Sequence, residues 1–250
     1  MSRTAASTSH QRAFTLIELS IVLVILGVLI GGILTGRGLI RAAELRSVMT
    51  EANNYLTAAA NFRSQYRYQA GDMPNAVSYW SSASNGNADG QITGDERFQF
   101  WFQLNAAGMV EQRFSGVTGS GGANDFVLGS NTPASRLPLT GFAATYANLT
   151  ATASHYAVNL DNSFTFGASM GSNAGEPVNA ALTPTDAFTL DSKADDGIPG
   201  TGKWVANLTG GGNFGTATAC STDASGTVYT GAYRTTIDTV ACSFFIMMGY

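Results

Sequence analysis

An apolar run from Phe14 to about Leu34 constrains this chain more than any other feature, because it can cross a bilayer and it holds one carboxylate, Glu18, near its start. A helix needs about 20 apolar residues to span roughly 30 Å of hydrocarbon, and this run supplies them. An unpaired carboxylate among lipid tails costs several kcal/mol, so Glu18 reads as a functional residue with a partner to be found. Residues 1–13 carry Arg3, His10 and Arg12 and no acid. In an ordinary secretory signal the small-residue cleavage site follows the apolar region, which is then discarded. Here the small residue, Ala13, precedes it. A cut after Ala13 would keep the helix and create an α-amine at Phe14, with Glu18 as the fifth residue of the shortened chain.

The helical pattern continues beyond the run. Leu45, Val48, Ala52, Tyr55, Leu56, Ala59, Phe62 and Tyr66 fall at helical spacing, with Glu44, Arg46, Glu51 and Arg63 between them, which predicts one apolar face. A continuous helix from Phe14 to about Arg67 would be roughly 80 Å long. Gly71, followed by Asp72, Met73 and Pro74, is expected to end it, Gly supplying the turn and Pro barring continuation. Gly27 and Gly31, then Gly32 and Gly36, repeat at a four-residue spacing that lets helices approach closely, although glycine is also simply common in membrane helices.

These residues resemble the processing site and first helix of the type IV pilin and type II secretion pseudopilin family, and the resemblance covers Phe14 to about Tyr66. The family has a short basic leader, a prepilin-peptidase cut before a Phe that becomes N-methylated, and a Glu as fifth mature residue. Phe14 and Glu18 match it. Ala13 stands where the family usually has Gly, and no Pro precedes Pro74, whereas many major subunits have one about 20 residues into the mature chain. The missing Pro points to a minor subunit. The resemblance implies assembly with other pilins through an inner-membrane platform, with Glu18 pairing with the Phe14 amine of a neighbour. It places the head in the periplasm and later in a periplasmic or extracellular filament. A signal-anchor helix on an unrelated periplasmic protein is the plainer alternative, and it leaves Glu18 unexplained.

The rest of the chain is long enough, at 250 residues with 44% hydrophobic, to bury a core after one membrane helix is set aside. The segments read as a leader over 1–13, a membrane or filament-core helix over 14–35, its continuation over 36–70 and a head over 71–250. The expected fold class is α+β: the long helix packed against an antiparallel-β head with short extra helices. From Asp72 onward there are 14 Asp and Glu against six Lys and Arg, a net charge of −8 that disfavours a nucleic-acid partner. Cys220 and Cys242, the only cysteines, are too few and too far apart for a structural zinc site. They read as one disulfide formed in an oxidising compartment, or as two buried thiols.

The segment Asn85 to Glu96 is the second informative feature. It puts side-chain oxygens at loop positions 1, 3, 5 and 9 (Asn85, Asn87, Asp89, Thr93), Gly90 at 6, Ile92 at 8 and Glu96 at 12, the spacing of an EF-hand calcium loop with Gln91 offering its backbone carbonyl. With only Asp89 and Glu96 charged, affinity for Ca2+ would be in the range of about 10⁻⁴–10⁻³ M. The alternative is an Asn/Gly-rich loop in which Asp95 or Thr93 caps the next helix, expected from Arg97 to Ala107.

Asn75 to Trp80 reads as a short helix. Ser115 to about Gly175 reads as antiparallel sheet with long loops, including strand-like runs at Phe126–Leu128 and Phe142–Tyr146. Thr183, Pro184 and Asp186 predict a capped helix to about Ala194 with Gly197 past its end. Asp191, Asp195 and Asp196 are expected to form a solvated acidic helix end near Lys193 and Lys203, with a metal cluster as the alternative. Thr227–Tyr229 and Ile237–Met248 read as two strands. His155 is the one histidine outside the leader and has no nucleophile motif around it, so no enzyme is expected. The functional reading is a pilus or pseudopilus subunit; a tip adhesin or substrate-binding module and a non-assembling anchored protein are the alternatives.

Overall fold

A computed structural model describes residues 15–150, 156–171, 175–207, 220–223, 229 and 231–249. Helix α1 spans Leu16–Tyr66, 51 residues, followed by a 3-10 turn at Ala76–Ser78, α2 (Glu96–Ala106), β1 (Thr140–Asn148), β2 (Asn159–Ala168), α3 (Pro184–Ala194), β3 (Trp204–Asn207) and β4 (Ser243–Met247). The chain divides into two compact units, residues 1–43 and 44–250. The fold class is α+β.

In the first unit the apolar side chains of α1, such as Leu23, Leu26 and Val28, are exposed all round the helix. Among the described residues one helix is long and apolar enough to cross a membrane, Leu16–Tyr66, by length and composition.

In the second unit the remainder of α1 buries one face. Leu45, Val48, Ala52, Ala59 and Phe62 are buried, at the spacing that brings side chains onto one stripe. That stripe meets a sheet of strand order β1-β2-β4-β3, every pair antiparallel. Because strand side chains alternate, the register lines up one face as Phe142 opposite Phe166, Phe164 opposite Ile246, Phe166 opposite Phe244, and Trp204 opposite Ile246. These residues share a core with α1 and with Phe100, Trp101 and Leu104 of α2. Tyr55 of α1 meets Trp101 and Phe142 edge-on, with centroids 5.1 and 5.3 Å apart, and Trp101 stacks on Phe164 at 5.4 Å. The opposite face packs Val205 and Phe245 with Tyr156 and Leu160 in a smaller cluster.

Several sequence expectations are corrected. Helix α1 ends with Arg67, at φ 66°, as the left-handed residue after Tyr66, so Gly71 is not its terminator. Phe126–Leu128 forms no strand; Asp125 and Leu128 make only isolated bridges, to Gly175 and Thr132. Ile237 lies in no strand, its N–H closing the turn at Thr235 and Thr236 onto the Arg234 carbonyl, and the terminal strand begins at Ser243. That strand sits between β2 and β3, a place local sequence does not encode, and β3 itself was not anticipated. Residues 227 and 228 lie outside the described residues. The capped helix forms as read: the Thr183 side chain accepts a hydrogen bond from the Asp186 N–H, with Pro184 in the first turn. The 3-10 turn takes the place of the short helix over 75–80, and α2 starts one residue before its expected first residue.

Candidate functional site

At the start of α1, Thr15 and Glu18 satisfy each other. The Glu18 carboxylate Oε2 accepts from the Thr15 N–H and the Thr15 hydroxyl, both at 2.8 Å, and the Glu18 N–H donates to Thr15 Oγ1 at 3.3 Å. This is a capping box, Thr-x-x-Glu, which removes two of the orphan donors of a helix start. A carboxylate in the first turn also meets the positive end of the helix dipole. The sequence reading sought only a partner in another molecule for Glu18 and missed Thr15; the three-residue spacing would have revealed it. Ala13 and Phe14 lie outside the described residues.

The second candidate site is in the head. Two glycines make it possible. A Cβ on Gly71 would stand 2.3 Å from the Glu96 carbonyl oxygen, and one on Gly86 would stand 2.4 Å from the Asp72 backbone, so only glycine lets these segments lie against one another. Gly86 N–H donates to the Met73 carbonyl at 2.8 Å, Ala88 N–H to the Asp72 carbonyl at 3.2 Å, and Gly71 N–H to the buried Gln103 side chain at 2.7 Å. From the other side Asn162 of β2 clamps the loop, accepting from Ile92 N–H at 2.9 Å and donating to the Gly90 carbonyl at 2.7 Å.

The result is a loop folded onto Asp72, whose carboxylate groups with those of Asp89 and Glu96: one oxygen of each lies within 4.8 Å of the others. Asp89 Oδ1 accepts from Gln91 N–H at 2.8 Å. Glu96 accepts from Asn87 N–H at 3.1 Å and from Thr93 N–H at 3.0 Å. Asn87 accepts from Asp89 N–H at 2.9 Å and donates to Asp89 Oδ2 at 3.0 Å. Asn85, by contrast, spends its side-chain oxygen on Val77 N–H at 3.0 Å. The Asp95 side chain caps nothing. Of the six residues singled out in sequence, the structure therefore gathers Asp89 and Glu96 as carboxylates and adds Asp72, which the twelve-residue pattern had no means of including. Burial pushes both Asp72 and Glu96 up from the ordinary carboxylate range.

Against known proteins, the family model of the prokaryotic N-terminal methylation motif matches residues 8–34. The chain carries a type IV pilin-type prepilin signal. No curated protein and no solved structure matches the chain. A prepilin signal implies processing by a prepilin peptidase and is compatible with an inner-membrane anchor. The Thr15–Glu18 box lies inside the matched segment, whereas the acidic loop lies outside it.

The other acidic group is a solvated helix end only in part: Asp196 is exposed and Asp195 half-buried. Asp191 is fully buried and accepts from the Tyr233 hydroxyl at 2.7 Å, while its Oδ1 has no hydrogen-bond partner. Burial pushes this acid up to about 7. Asp195 accepts from the backbone N–H groups of Lys203 and Trp204, and Asp196 from Ile198 N–H and the Thr201 hydroxyl. Those two carboxylates tie the loop after α3, so neither lysine ammonium is needed to explain them. Cys220 and Cys242 form a disulfide, and Cys242 precedes β4 directly, fastening residues 220–223 beside that strand.

Proposed function

We propose that this chain is a structural subunit, a minor pilin or pseudopilin, of a type IV pilus or type II secretion pseudopilus. It is cut after Ala13, methylated on Phe14 and lifted from the inner membrane into a helical filament. The observation that carries the reading is the prepilin motif over residues 8–34, with Glu18 as fifth residue after the cut. The apolar surface of α1 before Glu44 supports it, since such a surface needs lipid or other apolar helices around it. In the filament the Phe14 amine of one subunit meets Glu18 of another, so that two charges neutralise in an apolar setting. The capping box leaves room for this: among the described residues both bonds accepted by Glu18 fall on Oε2, which leaves Oε1 for an amine.

The test is Glu18→Ala in cells with a working assembly system, read by intact mass and by the amount of chain in sheared filaments. The expected outcome is a product beginning at methylated Phe14 in both proteins, with incorporation of the variant reduced at least about tenfold, which corresponds to roughly 1.4 kcal/mol. Normal incorporation overturns the pairing. An uncut wild-type chain, in a host that processes its other pilins, overturns the whole reading.

A further inference from the structure

Three carboxylates from two separate stretches of chain converge at Asp72, Asp89 and Glu96, and none has a cationic partner among the described residues. Arg97, the nearest base in sequence, is turned elsewhere, bound to Glu176 at 2.8 Å and to the Gly94 carbonyl at 2.9 Å. An acidic cluster alone would signify little, because exposed carboxylates repel one another without harm. Asp72 is different. It is only 2% exposed, its Oδ2 accepts from Gly90 N–H at 2.9 Å, and its Oδ1 has no hydrogen-bond partner among the described residues. Buried polar atoms are almost always satisfied, so an orphaned carboxylate oxygen beside two further carboxylates calls for a positive charge.

We propose that Asp72, Asp89 and Glu96 form a divalent-cation site, for calcium, that fastens the loop 85–96 to the turn after α1. The donor set is all oxygen and carboxylate-rich, which selects a hard cation over zinc or copper. Calcium fits better than magnesium because the donors sit on a loop and a turn, and calcium accepts irregular sets of six to eight oxygens where magnesium demands a strict octahedron. The loop stays a loop of the spacing read in sequence, but its closure is different. Asp72 replaces Asn85 as an anchor, and the ion joins segments that α1 and α2 hold only from their ends. The bonds already made by Asp89 and Glu96 are no obstacle, since each carboxylate oxygen carries two lone pairs. The site is independent of the filament reading and stands or falls separately.

The experiment uses the full chain in detergent, with calcium chloride alone as the probe. Isothermal titration should show one calcium bound per chain. Thermal unfolding should rise by about 3–6 °C between EDTA and calcium at roughly tenfold excess over the dissociation constant. Magnesium at the same concentration should give less than about half that shift. Asp72→Asn should abolish the heat of binding and the calcium-dependent shift, yet in EDTA melt no lower than wild type, because it removes a buried repelling charge. That last readout separates a ligand from a residue needed only for folding. Should Asp72→Asn fail to fold, Asp89→Asn, an exposed position, must lose the calcium shift in the same way. A wild-type chain with no heat of binding and equal melting in EDTA and calcium overturns the proposal. So does a full calcium shift retained by these variants, and an equal response to magnesium overturns the choice of ion.

Discussion

Helix α1 is one continuous element with two unlike halves, and Val28 and Val48 show the contrast most directly. Val28 is 72% exposed and Val48 is not exposed at all, although both lie in the same helix. Up to Ala43 the large apolar residues whose side chains are described lie exposed. From Glu44 they fall on one stripe, and the head covers that stripe. The second stretch thus satisfies its hydrophobic requirement within the chain, while the described residues of the first present an apolar surface whose removal from water would be favourable. Two acids, one in each unit, differ as well. Asp191 is dealt with inside the head, by Tyr233 and by a raised proton affinity. Glu18, exposed in the first unit, has its capping partner in Thr15.

The largest break in this comparison should come at Phe62, which is fully buried with its ring centroid 4.5 Å from that of Tyr66. Phe62→Ala should destabilise the head by about 3–5 kcal/mol, seen as a lowered denaturant midpoint of the full chain in detergent, with membrane insertion unaffected. An effect under about 1 kcal/mol would mean that α1 is not part of the head core.

A smaller effect should appear at Asp191 and should depend on pH. Between about pH 4 and pH 7 the folded chain keeps this proton while the unfolded chain has lost it. Its stabilising contribution is therefore full below about pH 4 and is lost as the pH rises through about 7. Wild type should melt several degrees lower at pH 8 than at pH 5. Asp191→Asn should flatten that slope and raise the melting temperature at pH 8, because an amide oxygen still accepts from Tyr233. A slope unchanged in the variant would place the titration elsewhere.

The smallest effect belongs to Leu26, exposed in the first stretch. Leu26→Ala should change head unfolding by less than about 0.5 kcal/mol, in contrast to Phe62→Ala in the same assay. A loss comparable to that of Phe62 would erase the distinction between the two stretches.

Local signals were readable wherever one segment suffices to produce the structure. The period of Leu45, Val48, Ala52, Ala59 and Phe62 announced a buried helical face, and Thr183-Pro184 announced a helix start, because spacing and capping act within a turn or two. The strand-like run at Phe126–Leu128 misled, since apolar content does not specify a pairing partner, and β3 escaped notice as four residues without a local marker. The acidic loop was legible by its twelve-residue spacing, but Asp72 was not, because its approach depends on Gly86 lying against it and on Asn162 pressing the loop from the sheet.

By itself the sequence determined the prepilin signal, the continuous apolar-then-amphipathic helix and that Cys220 and Cys242 had no other cysteine to pair with. All three arise from residues near one another, or from there being just one possible pairing. Only the tertiary structure decided the insertion of β4 between β2 and β3, the burial of Asp191 against Tyr233 and the meeting of Asp72 with Asp89 and Glu96. These depend on contacts between segments far apart in the chain, whose energy comes from shared burial rather than from any local preference.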